Sequence, residues 1–167
     1  IKLANFSFQI LNSLREKKSE EDFSKVIFPF LGKENYFYFF GKNGFIESQL
    51  LIDKNNLNEF LDEFKFLFKK MLPIITLFSI KNMSGEQKLL RFEDNKFCLT
   101  FDYVNNKKNR EFMHKVDRLC VKYKILPSVI KDSRISKEIF NFCYPEADLF
   151  RDKLRNFDKK RIYKSHL

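Results

Sequence analysis

The chain has no tryptophan and only four glycines, four prolines, three cysteines and two histidines in 167 residues. Each shortage removes a possibility. Four glycines cannot supply the glycine-rich loop that cradles a dinucleotide pyrophosphate. Cys98, Cys120 and Cys143 are odd in number and far apart, and His114 and His166 make no ligand pattern with them, so neither a disulfide framework nor a zinc site is expected. No apolar run approaches the ~20 residues needed to span a bilayer, because every Phe-rich stretch is cut by Lys, Glu or Asp. The opening "IKLANFSFQILNSLREKK" is too polar for the apolar segment of a signal peptide and does not begin with Met. The expectation is a piece of a longer protein in a reducing, cytosolic setting.

What is abundant is charge and phenylalanine: 32 Lys and Arg against 22 Asp and Glu, a net +10, and 22 Phe. A basic balance suits nucleic acid, an acidic membrane surface or a phosphorylated small molecule. A coding bias toward Lys, Asn, Ile and Phe accounts for it equally well. Between Arg151 and Lys164 seven basic residues face two Asp, a local net of +5, so half of the excess lies near the C-terminal end. The length fits one domain that buries roughly two-thirds of its unfolded surface.

Hydrophobic periodicity divides the chain. Residues 1–30 read as an N-terminal helix, with Leu3, Phe6, Phe8, Ile10, Leu11 and Leu14, followed by a charged connector. "NYFYFF" and "GFIESQLLI", joined by "GKNG", predict a hairpin with strands at 36–41 and 45–52. From Asp53 the period changes: Leu57, Phe60, Leu61, Phe64, Leu67, Phe68 and Met71 recur at helical spacing until Pro73 forces a stop. "IITLFSIKN" and "KFCLTFDYV" read as strands. A second helix carries Phe112, Met113, Val116, Leu119, Cys120 and Tyr123 on one face. "ILPSVI" closes the unit as an edge strand, since Pro127 lacks a ladder donor.

The order from 45 to 131 is β-α-β-β-α-β, the split βαβ arrangement of an α+β fold, with two helices on one face of an antiparallel sheet. An extra strand and C-terminal helices complete residues 31–167. Alternation sends Phe97, Leu99, Phe101 and Tyr103 toward the helices, together with Ile46, Ser48, Leu50 and Ile52. The open face then collects Glu47, Gln49, Lys81, Lys96, Cys98 and Thr100, with Lys131 at its rim. Such a face suits a ligand or a second domain, and a plain solvated face suits the same pattern.

RNA-binding sheets use this element order, with open-face aromatics stacking on bases. "KFCLTFDYV" has no glycine and turns its aromatics to the helices, so nucleic acid is disfavoured; a stand-alone module binding nucleic acid or another anion is the alternative reading. The C-terminal segment "KDSRISKEIFNFCYPEADLFRDKLRNFDKKRIYKSHL" resembles the end of FAD-linked oxidases of the vanillyl-alcohol oxidase superfamily, closest to the decaprenylphosphoryl-ribose 2-oxidase type. The resemblance is carried in order by Lys131 to Arg134, Tyr144-Pro145, Asp148 to Phe150, and Phe157-Asp158 to Ser165. "GFIESQLLI" and "FCLTFDY" resemble that family's strands.

The resemblance implies a substrate or cap domain that closes over FAD held by a separate N-terminal domain of the same parent chain, which this sequence lacks. It implies that Lys131 reaches both the flavin ring and the substrate, and that Gln49, Lys81 and Cys98 line the substrate site. The implied reaction is oxidation of a secondary alcohol on a sugar, sugar lactone or polyprenyl-phosphate sugar. A lipid-linked substrate would put the enzyme at the inner face of the cell membrane. Ser128 stands where the family has an aromatic, Lys96 where it has a neutral amide, and the loop between Lys81 and Cys98 is shorter. A Lys96 facing the pocket would favour an anionic group on the substrate.

Overall fold

The structure is a computed structural model that describes residues 40–132 and 134–162, together with residues 6, 7, 10, 13, 14, 20, 22–24 and 38. The chain divides into two compact units, Ile1–Gly44 and Phe45–Leu167. In the first, Phe6, Ser7, Ile10, Ser13 and Leu14 are helical, and the Ser13 hydroxyl donates to the Ile10 carbonyl at 2.7 Å. Leu3, Phe8 and Leu11 of the expected helix lie outside the described residues.

The second unit contains β1 (Phe45–Ile52), α1 (Leu57–Met71), β2 (Ile75–Asn82), β3 (Phe97–Val104), α2 (Lys107–Lys122), β4 (Leu126–Pro127), α3 (Lys137–Cys143) and α4 (Ala147–Phe157). The four strands form one antiparallel sheet in the order β2-β3-β1-β4. β1 and β2 are therefore parallel with β3 inserted between them, as expected of a split βαβ unit in an α+β protein. Pro127 sits in the edge strand, where its missing N–H costs no ladder bond.

Local chemistry sets the boundaries. Asp53 accepts from the Asn55 N–H at 2.8 Å and starts the single 3-10 turn that leads into α1. α1 ends where Leu72 turns left-handed at φ 49° ahead of Pro73. Asn106 caps α2 by accepting from the Asn109 N–H at 2.8 Å, and Ser136 caps α3 by accepting from the Ile139 N–H at 3.3 Å. A side-chain cap of this kind contributes about 1 kcal/mol.

The expected hairpin at "GKNG" does not form among the described residues. Tyr38 is helical, Gly41–Asn43 make a 3-10 turn, and both edges of β1 are taken by β3 and β4. Glycine at 41 and 44 does adopt the positive φ read from sequence, 64° at each, but to turn the chain into β1 rather than to reverse it. Residues 36, 37 and 39 lie outside the described set.

The back of the sheet carries the larger core. Leu50, Ile52, Leu99, Phe101 and Tyr103 meet Phe60 and Phe64 of α1 and Phe112, Met113, Val116 and Cys120 of α2. Phe64 is its hub, with ring centroids 5.4 Å from Phe112 and 5.8 Å from Phe101 in tilted or edge-on geometry. Asn109 is buried among these apolar groups and satisfied three times: it accepts from the Ile74 N–H at 2.9 Å and donates to the carbonyls of Ile74 and Val104 at 3.1 and 2.8 Å. It thereby holds the start of β2 where the pairing with β3 slips between Ile75 and Leu77.

The front of the sheet differs from the open face expected. A second apolar cluster joins Leu51, Cys98 and Leu126 to Phe140 and Tyr144 of α3 and to Ala147 of α4. Met83, Leu90 and Phe92, from the loop between β2 and β3, pack against it. That loop needs Gly85: its φ is 142°, and a Cβ there would come within 2.9 Å of the Glu93 carboxylate. Tyr144 is tied down by donating its hydroxyl to the Pro127 carbonyl at 2.5 Å. Alternation assigned the side chains to the correct faces; the C-terminal helices cover one end of the front, which alternation cannot report.

Candidate functional site

Three cross-strand rows define the front face. Leu77, Asp102 and Glu47 are opposed in the first, Ser79, Thr100 and Gln49 in the second, and Lys81, Cys98, Leu51 and Leu126 in the third. The third row is where the second apolar cluster sits. Apart from Leu77, the first two rows are polar. Cys98 and Thr100 are buried, with Sγ and Oγ1 3.7 Å apart. Burial raises the Cys98 thiol pKa, which Thr100 and the Lys81 charge only partly oppose, so it is a buried neutral thiol rather than a thiolate.

The turn after β4 brings Lys131 to this face. The Ser128 N–H donates to the Gln49 carbonyl at 2.8 Å, extending the β1–β4 pairing by one bond, and Asp132 N–H then closes on the Ser128 carbonyl at 3.1 Å. Lys131 Nζ lies 3.3 Å from Glu47 Oε2, across 84 residues of sequence. The other Glu47 oxygen accepts from Gln49 Nε2 at 2.9 Å. Lys131, Glu47 and Gln49 thus form one connected group of an ammonium, a carboxylate and an amide, and the Lys131 and Glu47 side chains remain partly exposed.

Behind β1 the same turn is anchored in the core. Arg134 forks onto Asp117 of α2 at 2.5 and 2.8 Å, reaches Asp132 Oδ2 at 2.9 Å, and donates to the Tyr103 hydroxyl at 3.1 Å. The Ser48 hydroxyl donates to the same Asp132 oxygen. Burial works against the Arg134 charge, but the Asp117 and Asp132 carboxylates outweigh it and hold the guanidinium above its ordinary pKa. Asp132 is pushed up by burial, and Arg134 and Ser48 only partly offset this. Bidentate pairing fixes orientation as well as charge. The backbone carrying Lys131 is therefore set from below by a buried, hydrogen-bonded network.

Of the expected site residues, Glu47, Gln49 and Lys131 come together. Ser128 is buried beneath them, and its N–H holds β1. Cys98 lies under α3, one row from Gln49 in the second apolar cluster. Lys81 is exposed at the end of β2 opposite Cys98. Lys96 precedes β3 and pairs with Asp94 at 2.6 Å, so its charge is answered within its own loop. Arg134, Asp132, Asp117 and Ser48 were not singled out as a network from sequence. The available signal was Ser48, a polar residue on a strand face otherwise filled by Ile46, Leu50 and Ile52, which demands a buried partner.

Two clefts of about 520 and 550 Å³ lie on the helix layer, lined by Phe66, Leu67 and Leu119 in one and by His114, Val121 and Ile139 in the other, and neither includes Lys131. Phe101 and Tyr103 are buried on the helix side, which leaves no aromatic stacking platform on β3 for bases. No described helix is long and apolar enough to cross a membrane. No family model matches the chain, and no curated protein matches it at a significant level.

Proposed function

We propose that Phe45–Leu167 is the substrate-binding domain of an FAD-dependent oxidoreductase that oxidises a secondary alcohol of a sugar, sugar lactone or polyprenyl-phosphate sugar. The observation that carries this reading is the meeting of Lys131, Glu47 and Gln49 on the front of the sheet, on a turn clamped by the Arg134 network. A clamped ammonium suits chemistry that develops negative charge, because it needs no reorganisation at the moment of reaction. The resemblance of "KDSRISKEIFNFCYP" to the vanillyl-alcohol oxidase superfamily supplies the flavin.

A flavin, if bound, would supply a hydride acceptor for the carbon that carries the substrate hydroxyl, the hydroxyl proton being released to solvent. Lys131 would lie against the pyrimidine edge of the ring, where it would stabilise developing negative charge, and would orient the hydroxyl oxygen. Gln49 offers a second donor and an acceptor for neighbouring hydroxyls. Ile130, apolar and 84 % exposed beside Lys131, offers surface for a ring or a covering domain. Lys131 offers one contact to the ring edge, and the pyrophosphate would be held by the separate FAD-binding domain that the resemblance implies.

The test is to express the complete reading frame that contains this chain and examine it for bound flavin and anaerobic bleaching by sugar alcohols and lactones. The expected result is a yellow protein bleached by at least one of them, with Lys131→Ala retaining flavin yet failing to bleach. A colourless protein, or normal bleaching in the Lys131 variant, overturns the proposal.

A further inference from the structure

We infer that the groove between α1 and α2 is where two copies of this chain meet, about a dyad that runs along the groove. The inference does not rest on the redox reading: the groove lies on the helix layer behind the sheet, and the Lys131 group lies in front. Phe66 is the first observation. It is 65 % exposed on α1, beside a cleft of about 520 Å³ whose apolar floor is Leu67 and Leu119. A large aromatic left in water next to an apolar groove marks a contact surface.

The charges decide what the contact is with. In the cleft, α1 contributes Asp62 and Glu63, and α2 contributes Lys115 and Arg118. Rows spaced by three and four residues extend both walls: Glu59, Lys69 and Lys70 on α1, Lys122 and Glu111 on α2. The two helices are antiparallel, since Glu63 meets Lys122 at one end, and toward the other Phe68 meets Phe112 with ring centroids 6.4 Å apart. The α1 wall therefore runs from acid to base while the α2 wall beside it runs from base to acid. A uniformly charged partner would find one wall favourable and the other opposed. A second copy turned about a dyad along the groove sets each wall on the partner's opposite wall, and each Phe66 over the partner's Leu119. A dyad across the groove would set like charges together, which costs affinity. Pairs within one copy leave room for this exchange. Asp62 meets Lys65 in an i,i+3 pair whose side chains are 78 and 64 % exposed, and Lys115 and Arg118 have no ion pair among the described residues. Exposed pairs of that kind are weak and rearrange readily.

The experiment is sedimentation velocity on the protein expressed from the complete reading frame, alongside its Asp62→Lys, Arg118→Glu and Phe66→Ser variants. All three positions are exposed, and circular dichroism checks that each variant is folded. The wild type is expected to sediment as a dimer in reversible exchange with monomer. Each charge reversal sets like charges together at both symmetry-related contacts and should weaken the dimer at least about tenfold, and Phe66→Ser should weaken it as much. An equimolar mixture of the Asp62→Lys and Arg118→Glu proteins should recover the dimer, because both contacts of the mixed pair again join opposite charges. A wild type that stays monomeric at the highest attainable concentration overturns the inference. So does a dimer that neither reversal weakens, or a mixture that fails to recover it. The readout is mass, so it is separate from flavin chemistry: a colourless dimer with this charge pattern sinks the redox reading alone, and a yellow monomer sinks the dimer alone.

Discussion

Lys131 and Arg134 leave the same turn and enter opposite environments. Arg134 passes behind β1, where its side chain is 11 % exposed and its fork is filled by Asp117 and Asp132. Lys131 stays in front, 45 % exposed, against the single carboxylate of Glu47. The difference teaches how one short segment divides its work. A charge buried with two hydrogen-bonded partners fixes the backbone, whereas a charge left at the rim remains available to a ligand. Residue type follows the division: the planar guanidinium suits the fork, and the compact ammonium suits a role as a point charge.

The sharpest way to break this comparison is to remove the buried partner. Arg134→Met leaves Asp117 and Asp132 charged with no cation between them, and a loss of about 3–5 kcal/mol is expected. For a chain of this size that corresponds to a fall of roughly 10 °C in thermal midpoint, read by circular dichroism. Adding Asp117→Asn and Asp132→Asn to that variant should recover part of the loss, since the cost lies in stranded charge. A change below about 1 kcal/mol for Arg134→Met would reduce this network to an ordinary surface cluster.

A smaller effect is expected at the front cluster. Tyr144→Phe removes the hydroxyl that serves the Pro127 carbonyl and strands a buried acceptor, at a cost of about 1–3 kcal/mol in denaturant melts. Burial holds the Tyr144 phenol well above its ordinary pKa, so the bond persists across any practical pH. Lys131→Met should shift stability by no more than about 1 kcal/mol, because its pair is exposed and solvent-screened. On the proposed function, substrate-driven bleaching of the parent protein's flavin should nevertheless disappear. A large stability loss in Lys131→Met would mean that both cations of the turn are structural, and the division drawn above would collapse.

These contrasts also show what could be read without coordinates. β1, α1, β3 and α2 were legible because their apolar residues repeat cleanly at period two or at helical spacing, and the packing of Phe64 against Phe101 and Phe112 follows from those stripes. Glu47 and Gln49 were grouped by alternation, and Lys131 joined them at the rim through the position of its turn and the resemblance of "KDSR". The Arg134–Asp117 pair was not, because a helix position and a turn position carry no sequence period in common. The closure of the front face by Phe140 and Tyr144 was missed for a similar reason: α3 is only seven residues long, too short for a pattern to reveal which surface it buries. At Tyr38 and Phe40, the described residues of "NYFYFF", the strand reading failed because an aromatic run suits a strand, while only long-range pairing decides whether β1 has an edge to spare.

The smallest effect tests the exposed end of the same scale. On the helix layer, Lys122 donates to Glu63, and the Tyr123 hydroxyl donates to the same oxygen at 2.6 Å, linking α2 to α1. The Lys122 bond, with help from Tyr123, holds the Glu63 pKa below its ordinary value, and Glu63 in return raises that of Lys122. A depressed carboxylate contributes stability that is fully present above its unfolded pKa and fades as pH falls through the folded one. A raised ammonium contributes stability that is present below its unfolded pKa and fades as pH rises through the folded one. The difference in stability between the wild type and Glu63→Gln should therefore be a plateau around neutrality that declines in acid below the ordinary glutamate range and again in strong alkali. Both side chains are more than 40 % exposed, so added salt should flatten the plateau. A pH-independent difference that resists salt would mean that packing, not charge, joins α1 to α2 at this point.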